Sequence, residues 1–304
     1  MAQTLVVHPG PLGDVLLAVP AMRALRRRHG PELVLAAQSP VGELLHILGV
    51  VDVRLRFDLL GLDRLFVDGP LDERAAVLSN ADRLVCWFGS KDPTFTKRLR
   101  EIAPRCVVAP PWVVDRLVWQ HLLTTIGEES EGADRDPIGL PARLVADGRH
   151  ALQAAGWDGT LPLVIVHPGS SGTSKRWASE GYAAVIGGLR ARTAVTVVIH
   201  QGPTDREAVR ALLGHLPAPA AVLDNPPLTV LASALAHARA FVGNDSGVSH
   251  LAAAVGAPAL VLFTAAMRAW EPWSRRARSL MVSTTGQYRD DVDAVAAGLA
   301  RLVG

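Results

Sequence analysis

Three glycine-containing segments carry the residues whose types and spacing suggest chemistry. They are residues 10–14, 167–177 and 243–254. Each follows a run of apolar, β-branched residues and precedes a run with helical spacing, so each marks a turn from a strand into a helix. Glycines at such a turn leave room beside the backbone for a ligand. The unpaired N–H groups at the start of the following helix favour an anion such as a phosphate.

The first segment reads Gly10-Pro11-Leu12-Gly13-Asp14. A carboxylate at the mouth of a ligand site can act as a general base that takes the proton of an attacking hydroxyl group. Asp is also a common N-cap, because its oxygens accept hydrogen bonds from the first N–H groups of a helix. Asp14 is therefore either a catalytic base or a structural cap.

The second segment combines a short, hydroxyl-rich loop with a cation. Ser170, Ser171 and the loop N–H groups can contact phosphate oxygens, and Lys175 can supply positive charge. Lys is scarce in this chain, since it occurs only at 91, 97 and 175. This scarcity favours a phosphate contact over a solvated lysine on a flexible loop. The spacing differs from that of a Walker A loop.

The third segment opens with Asn244-Asp245-Ser246-Gly247 and continues into an apolar helix. A diphosphate fits the start of that helix, and Asp245 is placed either to cap it or to hydrogen-bond a ribose. His250 lies four residues after Ser246 and so faces the same side of the helix. A satisfied, half-buried histidine is the alternative for His250.

Composition and spacing exclude several classes of protein. The net charge of +2 gives no basic surface typical of nucleic-acid binding. No Gly-x-Gly-x-x-Gly loop, nucleophile elbow or metal-ligand spacing is present, so we expect neither a nicotinamide cofactor nor a metal. Cys86 and Cys106 are expected to be reduced. Without a signal peptide or an apolar run long enough to span a bilayer, the sequence predicts a cytoplasmic protein.

Alternating strand and helix patterns predict parallel sheets covered by helices on both faces. In the first half the predicted strands are 4–7, 33–37 and 83–88, and the predicted helices are 14–29, 41–48 and 94–102. Pro20 falls inside the first helix and is expected to kink it. In the second half one predicted strand starts at Leu163 and runs into His167-Pro168-Gly169, and the others are 193–200, 221–223, 240–242 and 259–263. The predicted helices are 142–155, 205–213, 229–237, 246–255 and 290–302.

A repeated motif suggests two similarly built domains. An apolar strand runs into His8-Pro9-Gly10 and again into His167-Pro168-Gly169, 159 residues later. Residues 127–141 are polar and rich in Gly and Pro, as expected of an interdomain segment. We therefore predict an N-terminal Rossmann-like acceptor domain over 1–150 and a C-terminal Rossmann-like donor domain over 151–304.

Taken together, the three segments resemble glycosyltransferase family 9, the ADP-heptose:lipopolysaccharide heptosyltransferases. The family pattern has Leu-Gly-Asp before an apolar helix with an early Pro, then His-Pro-Gly with a following Lys-x-Trp, and last Asn-Asp-Thr/Ser-Gly-x-x-His. The matching residues here are Leu12-Gly13-Asp14 with Pro20, His167-Pro168-Gly169 with Lys175-Arg176-Trp177, and 244–250. His8 and Ser246 depart from the family's commoner Arg/Lys and Thr. The similarity runs from residue 4 to about residue 275.

The resemblance implies a GT-B fold, with two Rossmann-like domains whose parallel sheets face each other across a cleft. It implies inverting, metal-independent transfer of a heptose or related sugar from an ADP-sugar to a saccharide, such as the lipopolysaccharide inner core. Asp14 would be the catalytic base and Glu207 a nucleoside contact. The donor diphosphate would be held by Gly13, Ser170, Ser171, Lys175, Asp245, Ser246, Gly247 and His250. The donor is a substrate, and no further cofactor is implied.

The residues leave three rival functions open at this point. A transferase of the same fold could use another nucleotide sugar on a natural-product or capsule acceptor. A GT-B-type epimerase is the second rival, and a non-catalytic sugar-nucleotide binding protein is the third. The acceptor could be a free or a lipid-linked saccharide. Basic residues at 23, 26–28, 91, 97, 98 and 100 either meet such an anionic acceptor at the inner membrane or form solvated helix faces.

Overall fold

The chain forms two compact units, Met1–Arg135 and Asp136–Gly304. The structure is a computed structural model that describes residues 3–30, 32–70, 73–283 and 288–304. The division falls inside the predicted interdomain segment 127–141, earlier than the predicted boundary after residue 150. The reason is that the helix Ala142–Ala154 packs against a helix of the second unit, Leu228–Ala236.

The first unit contains a parallel sheet with the strand order β3-β2-β1-β4-β5. The strands are β1 (Gln3–Val7), β2 (Glu32–Ala37), β3 (Val53–Arg56), β4 (Arg83–Cys86) and β5 (Val107–Val108). The helices are α1 (Leu12–Leu17), α2 (Val19–His29), α3 (Ser39–Ile47), α4 (Ala76–Ser79), α5 (Pro93–Ile102) and α6 (Val118–Thr125).

The second unit contains a parallel sheet with the strand order β11-β10-β9-β6-β7-β8. The strands are β6 (Leu163–His167), β7 (Thr196–Gln201), β8 (Ala221–Asp224), β9 (Ala240–Asn244), β10 (Ala259–Phe263) and β11 (Ala277–Met281). The helices are α7 (Ala142–Ala154), α8 (Ser179–Arg192), α9 (Arg206–His215), α10 (Leu228–Ala236), α11 (Gly247–Ala254) and α12 (Tyr288–Val303).

Both sheets have the strand order of a Rossmann fold, in which the chain starts at the centre and reverses direction there. Strands β1 and β6 hold equivalent central places, which confirms the two similarly built domains predicted from the His-Pro-Gly repeat. The central strands β6, β9 and β10 are buried at every position. Burial on both faces explains why they read as continuous apolar runs rather than as alternating patterns.

Several elements differ from the sequence prediction. The predicted helix 14–29 is two helices, α1 and α2, which meet at Ala18, and Pro20 occupies an early position of α2. Strands β3, β5 and β11 and helices α4 and α6 were not predicted, and no bounds were predicted for α8, the helix after the second His-Pro-Gly motif. These strands lie at or next to sheet edges and are only partly buried, so they lack the long apolar runs that marked the central strands.

Candidate active site

The candidate donor site lies where strands β6 and β9 end beside each other. These strands pair in parallel, with His167 opposite Gly243, so their carboxyl ends meet at one edge of the sheet. The following loops are residues 168–178 and 245–246. This is the place where the strand order reverses, and ligands of doubly wound sheets bind there.

The buried amide of Asn244 ties the two loops together. Its Oδ1 accepts hydrogen bonds from the Trp177 N–H group and the Tyr182 hydroxyl group, each at 3.0 Å. Its Nδ2 donates to the carbonyl oxygens of Pro168 at 2.8 Å and Gly169 at 3.4 Å. One fully buried side chain therefore fixes both ends of the segment that carries Ser170 and Lys175.

Asp245 is the centre of a polar cluster above this amide. The Lys175 ammonium group donates to Asp245 Oδ2 at 2.9 Å, and His250 Nε2 lies 3.5 Å from Asp245 Oδ1. The Ser170 hydroxyl group donates to the Asp245 carbonyl oxygen at 2.8 Å. Ser170, Asp245 and His250 are buried, whereas the Lys175 side chain is 26% exposed. The structure therefore brings together four residues predicted for the diphosphate site, with only the cation reaching solvent.

The contacts within this cluster stabilise the ionised form of Asp245. Burial by itself raises the pKa of the Asp245 carboxyl group, but the contacts with His250 and Lys175 outweigh it and hold the pKa below its usual value. Asp245 is therefore ionised at neutral pH and keeps the ammonium group of Lys175 beside the loop. An ammonium group has three donors, and the bond to Asp245 uses one of them.

Helix α11 begins beside this cluster, and Ser246 is its N-cap. The Ser246 hydroxyl oxygen accepts a hydrogen bond from the Ser249 N–H group at 3.2 Å. The Ser249 hydroxyl group in turn donates to the Asn244 carbonyl oxygen at 2.5 Å. The cap is therefore Ser246 rather than Asp245, the capping candidate named from the sequence. Gly247, the first helical residue, is half-buried at the positive end of the helix dipole.

Two predicted donor contacts lie at the margin of this cluster. Ser171 is exposed on the loop after β6. Glu207 lies in the first turn of α9, where its side chain is 89% exposed and its carboxylate oxygen is 3.8 Å from a guanidinium nitrogen of Arg176. Neither residue joins the buried cluster around Asp245.

The first unit holds Asp14 at the equivalent edge of its own sheet. Asp14 is half-buried in the first turn of α1, behind the buried Gly13. The N-cap position of this helix is held by Pro11, which makes no side-chain cap hydrogen bond, so Asp14 is not the N-cap residue. A Cβ atom on Gly10 would lie 2.8 Å from the His8 ring and 3.2 Å from Asp14 Cβ. Glycine at position 10 is therefore needed for the loop to pass between them.

His8 is a buried neutral base beside that loop. Its Nδ1 accepts the Gly10 N–H group at 3.2 Å, and its ring meets the Trp87 ring edge-on at 5.8 Å. Its Nε2 has no hydrogen-bond partner among the described residues. Burial lowers the pKa of His8 to about 4, so the ring is neutral at neutral pH.

The consecutive arginines of α2 form ion pairs with acidic side chains of the first unit. Arg26, Arg27 and Arg28 contact Asp52, Asp134 and Glu128, respectively, at 2.6–2.7 Å. These ion pairs favour a structural role over contact with an anionic acceptor or a membrane. In the described part of the chain, no helix combines the length and apolarity needed to cross a membrane.

Lys91, Lys97 and Arg100 lie elsewhere in the first unit, and Lys97 Nζ is 4.0 Å from Glu101 Oε1. They line an open surface depression of about 590 Å³ that runs along α5, together with Ser90, Pro93, Thr96 and Glu101. The loop that carries Ser90 and Lys91 follows β4, the parallel neighbour of β1. Only the end of this depression formed by Ser90 and Lys91 therefore lies toward the sheet edge that also holds Asp14.

The sequence analysis missed the residues that position the donor loop by hydrogen bonds. Asn244 belonged to the third motif but received no role, and Tyr182 carried no signal, because its partner is 62 residues away. Cys86 and Cys106 are free thiols, as predicted. The sequence analysis also missed a buried group of residues that could hold a metal ion, namely His167, His200 and Asp205. These three residues do not have the sequence spacing typical of metal ligands.

Comparison with known proteins identifies the family. Residues 139–295, just over half of the chain, match the model of glycosyltransferase family 9 (heptosyltransferase). The chain belongs to this family. A curated relative, lipopolysaccharide heptosyltransferase 3 of Escherichia coli, is 32% identical over 137 residues. That alignment covers 42% of the chain and 38% of the relative.

Solved structures of this family share the fold over almost the whole chain. The ADP-heptose lipopolysaccharide heptosyltransferase II of E. coli has a TM-score of 0.72 at 18% identity, covering 98% of this chain and 99% of that one. The E. coli heptosyltransferase WaaC with ADP has a TM-score of 0.68 at 16% identity, covering 99% of each chain. The predicted fold class, GT-B with two Rossmann-like domains, is confirmed.

Proposed function

We propose that this family 9 member transfers a heptose, or a related sugar, from an ADP-sugar to a saccharide acceptor such as the lipopolysaccharide inner core. The observation that carries the proposal is the cluster of Lys175, Asp245 and His250 at the start of α11. A cation and a helix N-terminus at the switch point of a Rossmann sheet form a site for a nucleotide diphosphate.

The choice of ADP-heptose rests on the relatives. One structural relative is described as an ADP-heptose heptosyltransferase, and another is described with ADP. Ser170, Ser171, Ser246 and Gly247 are the proposed hydroxyl or N–H contacts of the diphosphate. Glu207 stands at the start of α9, after β7, and is the proposed nucleoside contact.

This donor site supports departure of the diphosphate without a metal ion. In the proposed step the bond between the anomeric carbon and the diphosphate oxygen breaks, and its electron pair leaves with ADP. Lys175 and the N–H groups of α11 stabilise the negative charge that develops there. Asp245 positions the Lys175 ammonium group before the donor arrives, which saves the cost of ordering a long side chain.

Asp14 is the proposed base on the acceptor. It takes the proton of the acceptor hydroxyl group as that oxygen attacks the anomeric carbon. Attack from the face opposite the departing ADP inverts the anomeric configuration. Lys91, Lys97 and Arg100 line a surface depression along α5 of the same unit, and they are the proposed contacts of an anionic saccharide.

A transfer assay with ADP-heptose and a heptose-free inner-core acceptor, followed by mass spectrometry, tests this proposal. We expect one added sugar with the wild-type chain. Asp14→Asn should lower the rate at least about a hundredfold, since general-base catalysis contributes that much or more. Its affinity for ADP should stay unchanged. Asp63→Asn, at an exposed position of the same unit, is the matched control and should keep full activity.

The same assay separates the rival functions. Transfer from another nucleotide sugar, but not from ADP-heptose, would show that the donor is that nucleotide sugar and not ADP-heptose. Interconversion of a sugar nucleotide without an acceptor would indicate an epimerase. Binding of ADP without any turnover would indicate a non-catalytic binding protein. Full activity of Asp14→Asn would contradict the proposal that Asp14 is the catalytic base.

A further inference from the structure

A buried group of three side chains lies below the donor loop, on neighbouring strands of the second sheet. His167 ends β6, and His200 is near the end of β7. Val166 pairs with Ile199 in the parallel register, so the next residues, His167 and His200, stand level with each other. Asp205 follows the turn after β7, at the N-cap of α9. The fold thus gathers two imidazoles and a carboxylate that the sequence separates.

The distances within this group match those between the ligands of one metal ion. His167 Nδ1 and His200 Nδ1 are 3.0 Å apart, and one ligand atom from each of the three residues lies within 4.8 Å of the others. Two nitrogens bound to a tetrahedral zinc ion at 2.0–2.1 Å would be separated by roughly 3.3 Å. Only a small adjustment of the two rings is therefore needed for both to bind one ion.

The buried carboxylate of Asp205 favours a cation at this position. His167, His200 and Asp205 are 2%, 2% and 6% exposed, respectively. Asp205 Oδ2 accepts the Gly202 N–H group at 2.9 Å, and among the described residues no ion pair neutralises the carboxylate. A buried carboxylate without a counter-charge is costly, and such groups are normally paired or bound to a metal.

The surrounding backbone leaves space for the carboxylate. A Cβ atom on Gly169 would overlap with Asp205 Oδ1, and one on Gly202 would lie 2.7 Å from Asp205 Oδ2. Both loops that enclose Asp205 therefore require glycine. The cation of Arg176 acts electrostatically on His167, and the exposed carboxylate of Asp224 acts on His200.

We propose that His167, His200 and Asp205 form a binding site for one divalent transition-metal ion, such as Zn²⁺ or Fe²⁺. Two imidazoles and one carboxylate are ligands that these ions prefer. The ion joins β6 to the start of α9 and holds residues 167–169, the beginning of the loop that carries Lys175. Its role is structural, so the proposed sugar transfer does not pass through it.

Elemental analysis of the full chain tests this site. Protein from cells grown with added Zn²⁺ is passed through gel filtration and its metal content measured, and the chelated protein is then titrated with Co²⁺ and followed by visible absorption. We expect one equivalent of metal and a tetrahedral Co²⁺ spectrum. Asp205→Asn keeps an acceptor for the Gly202 N–H group but removes the charge, and it should lower the affinity at least about a hundredfold.

Two further variants keep the outcome decisive. His200→Gln should also lose the metal, which provides a second reading if Asp205→Asn does not fold. His150→Gln, at an exposed position of α7, is the matched control and should retain one equivalent. An absence of metal in the wild-type chain, or equal metal in all the variants, would overturn the site and leave a hydrogen-bonded histidine pair. None of these readouts depends on transferase activity.

Discussion

Replacing Asn244 with alanine should destabilise the second unit more than any single hydrogen bond explains. Asn244 is fully buried, and its amide serves three strong partners, the Trp177 N–H group, the Tyr182 hydroxyl group and the Pro168 carbonyl oxygen. Each partner left buried and unpaired costs about 1–3 kcal/mol. Asn244→Ala should therefore lower the free energy of unfolding by at least about 3 kcal/mol.

Tyr182→Phe provides the internal comparison. This change removes one hydroxyl group, while Asn244 Oδ1 keeps the Trp177 N–H group at 3.0 Å. Its expected cost is about 1 kcal/mol. Urea unfolding followed by tryptophan fluorescence measures both variants, and Asn80→Ala, at an exposed position, should change the free energy by less than about 0.5 kcal/mol. Equal costs for Asn244→Ala and Tyr182→Phe would refute the view that one amide holds both ends of the donor loop.

Three further predictions concern packing, pH and the margin of the site. Gly148→Ala should lower the free energy of unfolding by about 1–3 kcal/mol, measured by urea unfolding, because its Cβ atom would overlap with Ser233 Oγ; a gain in stability would contradict the close packing of α7 and α10. Burial lowers the pKa of His8 from 6.5 in the unfolded chain to about 4 in the folded chain. As the pH falls, His8 is therefore protonated in the unfolded chain before it is protonated in the folded chain. The stability contributed by neutral His8 is therefore present above pH 6.5 and is lost as the pH falls through about 4, by about 3 kcal/mol in total; His8→Gln should remove this part of the pH dependence in urea titrations, and an unchanged pH profile would argue against it. Glu207→Ala should weaken the binding of ADP but not of inorganic pyrophosphate in calorimetric titrations, and equal affinities for ADP would end its role as a nucleoside contact.

The sequence was informative where chemistry and fold depend on local patterns. The central strands were found because burial on both faces makes them apolar throughout, as β6 and β9 are. The three glycine-containing segments were found because each couples a strand end to a helix start. Lys175, Asp245 and His250 could be named together because the segments that carry them resemble the motifs of family 9, and in the structure they lie in one cluster.

Contacts between residues that lie far apart in the chain could not be predicted from the sequence. The level position of His167 and His200 depends on the register of β6 with β7, which no local pattern specifies. The hydrogen bond from Tyr182 to Asn244 likewise joins a helix to a strand that follows much later in the chain. The capping role of Ser246 was given to its neighbour Asp245, because both residue types are good N-caps and only the backbone conformation distinguishes them.

Calorimetric titration of ADP into the wild-type chain and Lys175→Ala tests the proposed donor site most directly. Loss of a charge-assisted contact of about 1.5–3 kcal/mol predicts that the affinity for ADP falls by roughly 10- to 100-fold. Lys97→Ala, whose side chain is 78% exposed in the first unit, should bind ADP like the wild-type chain. ADP binding that is absent from the wild-type chain, or equally tight in Lys175→Ala, would contradict the donor site centred on Lys175 and Asp245.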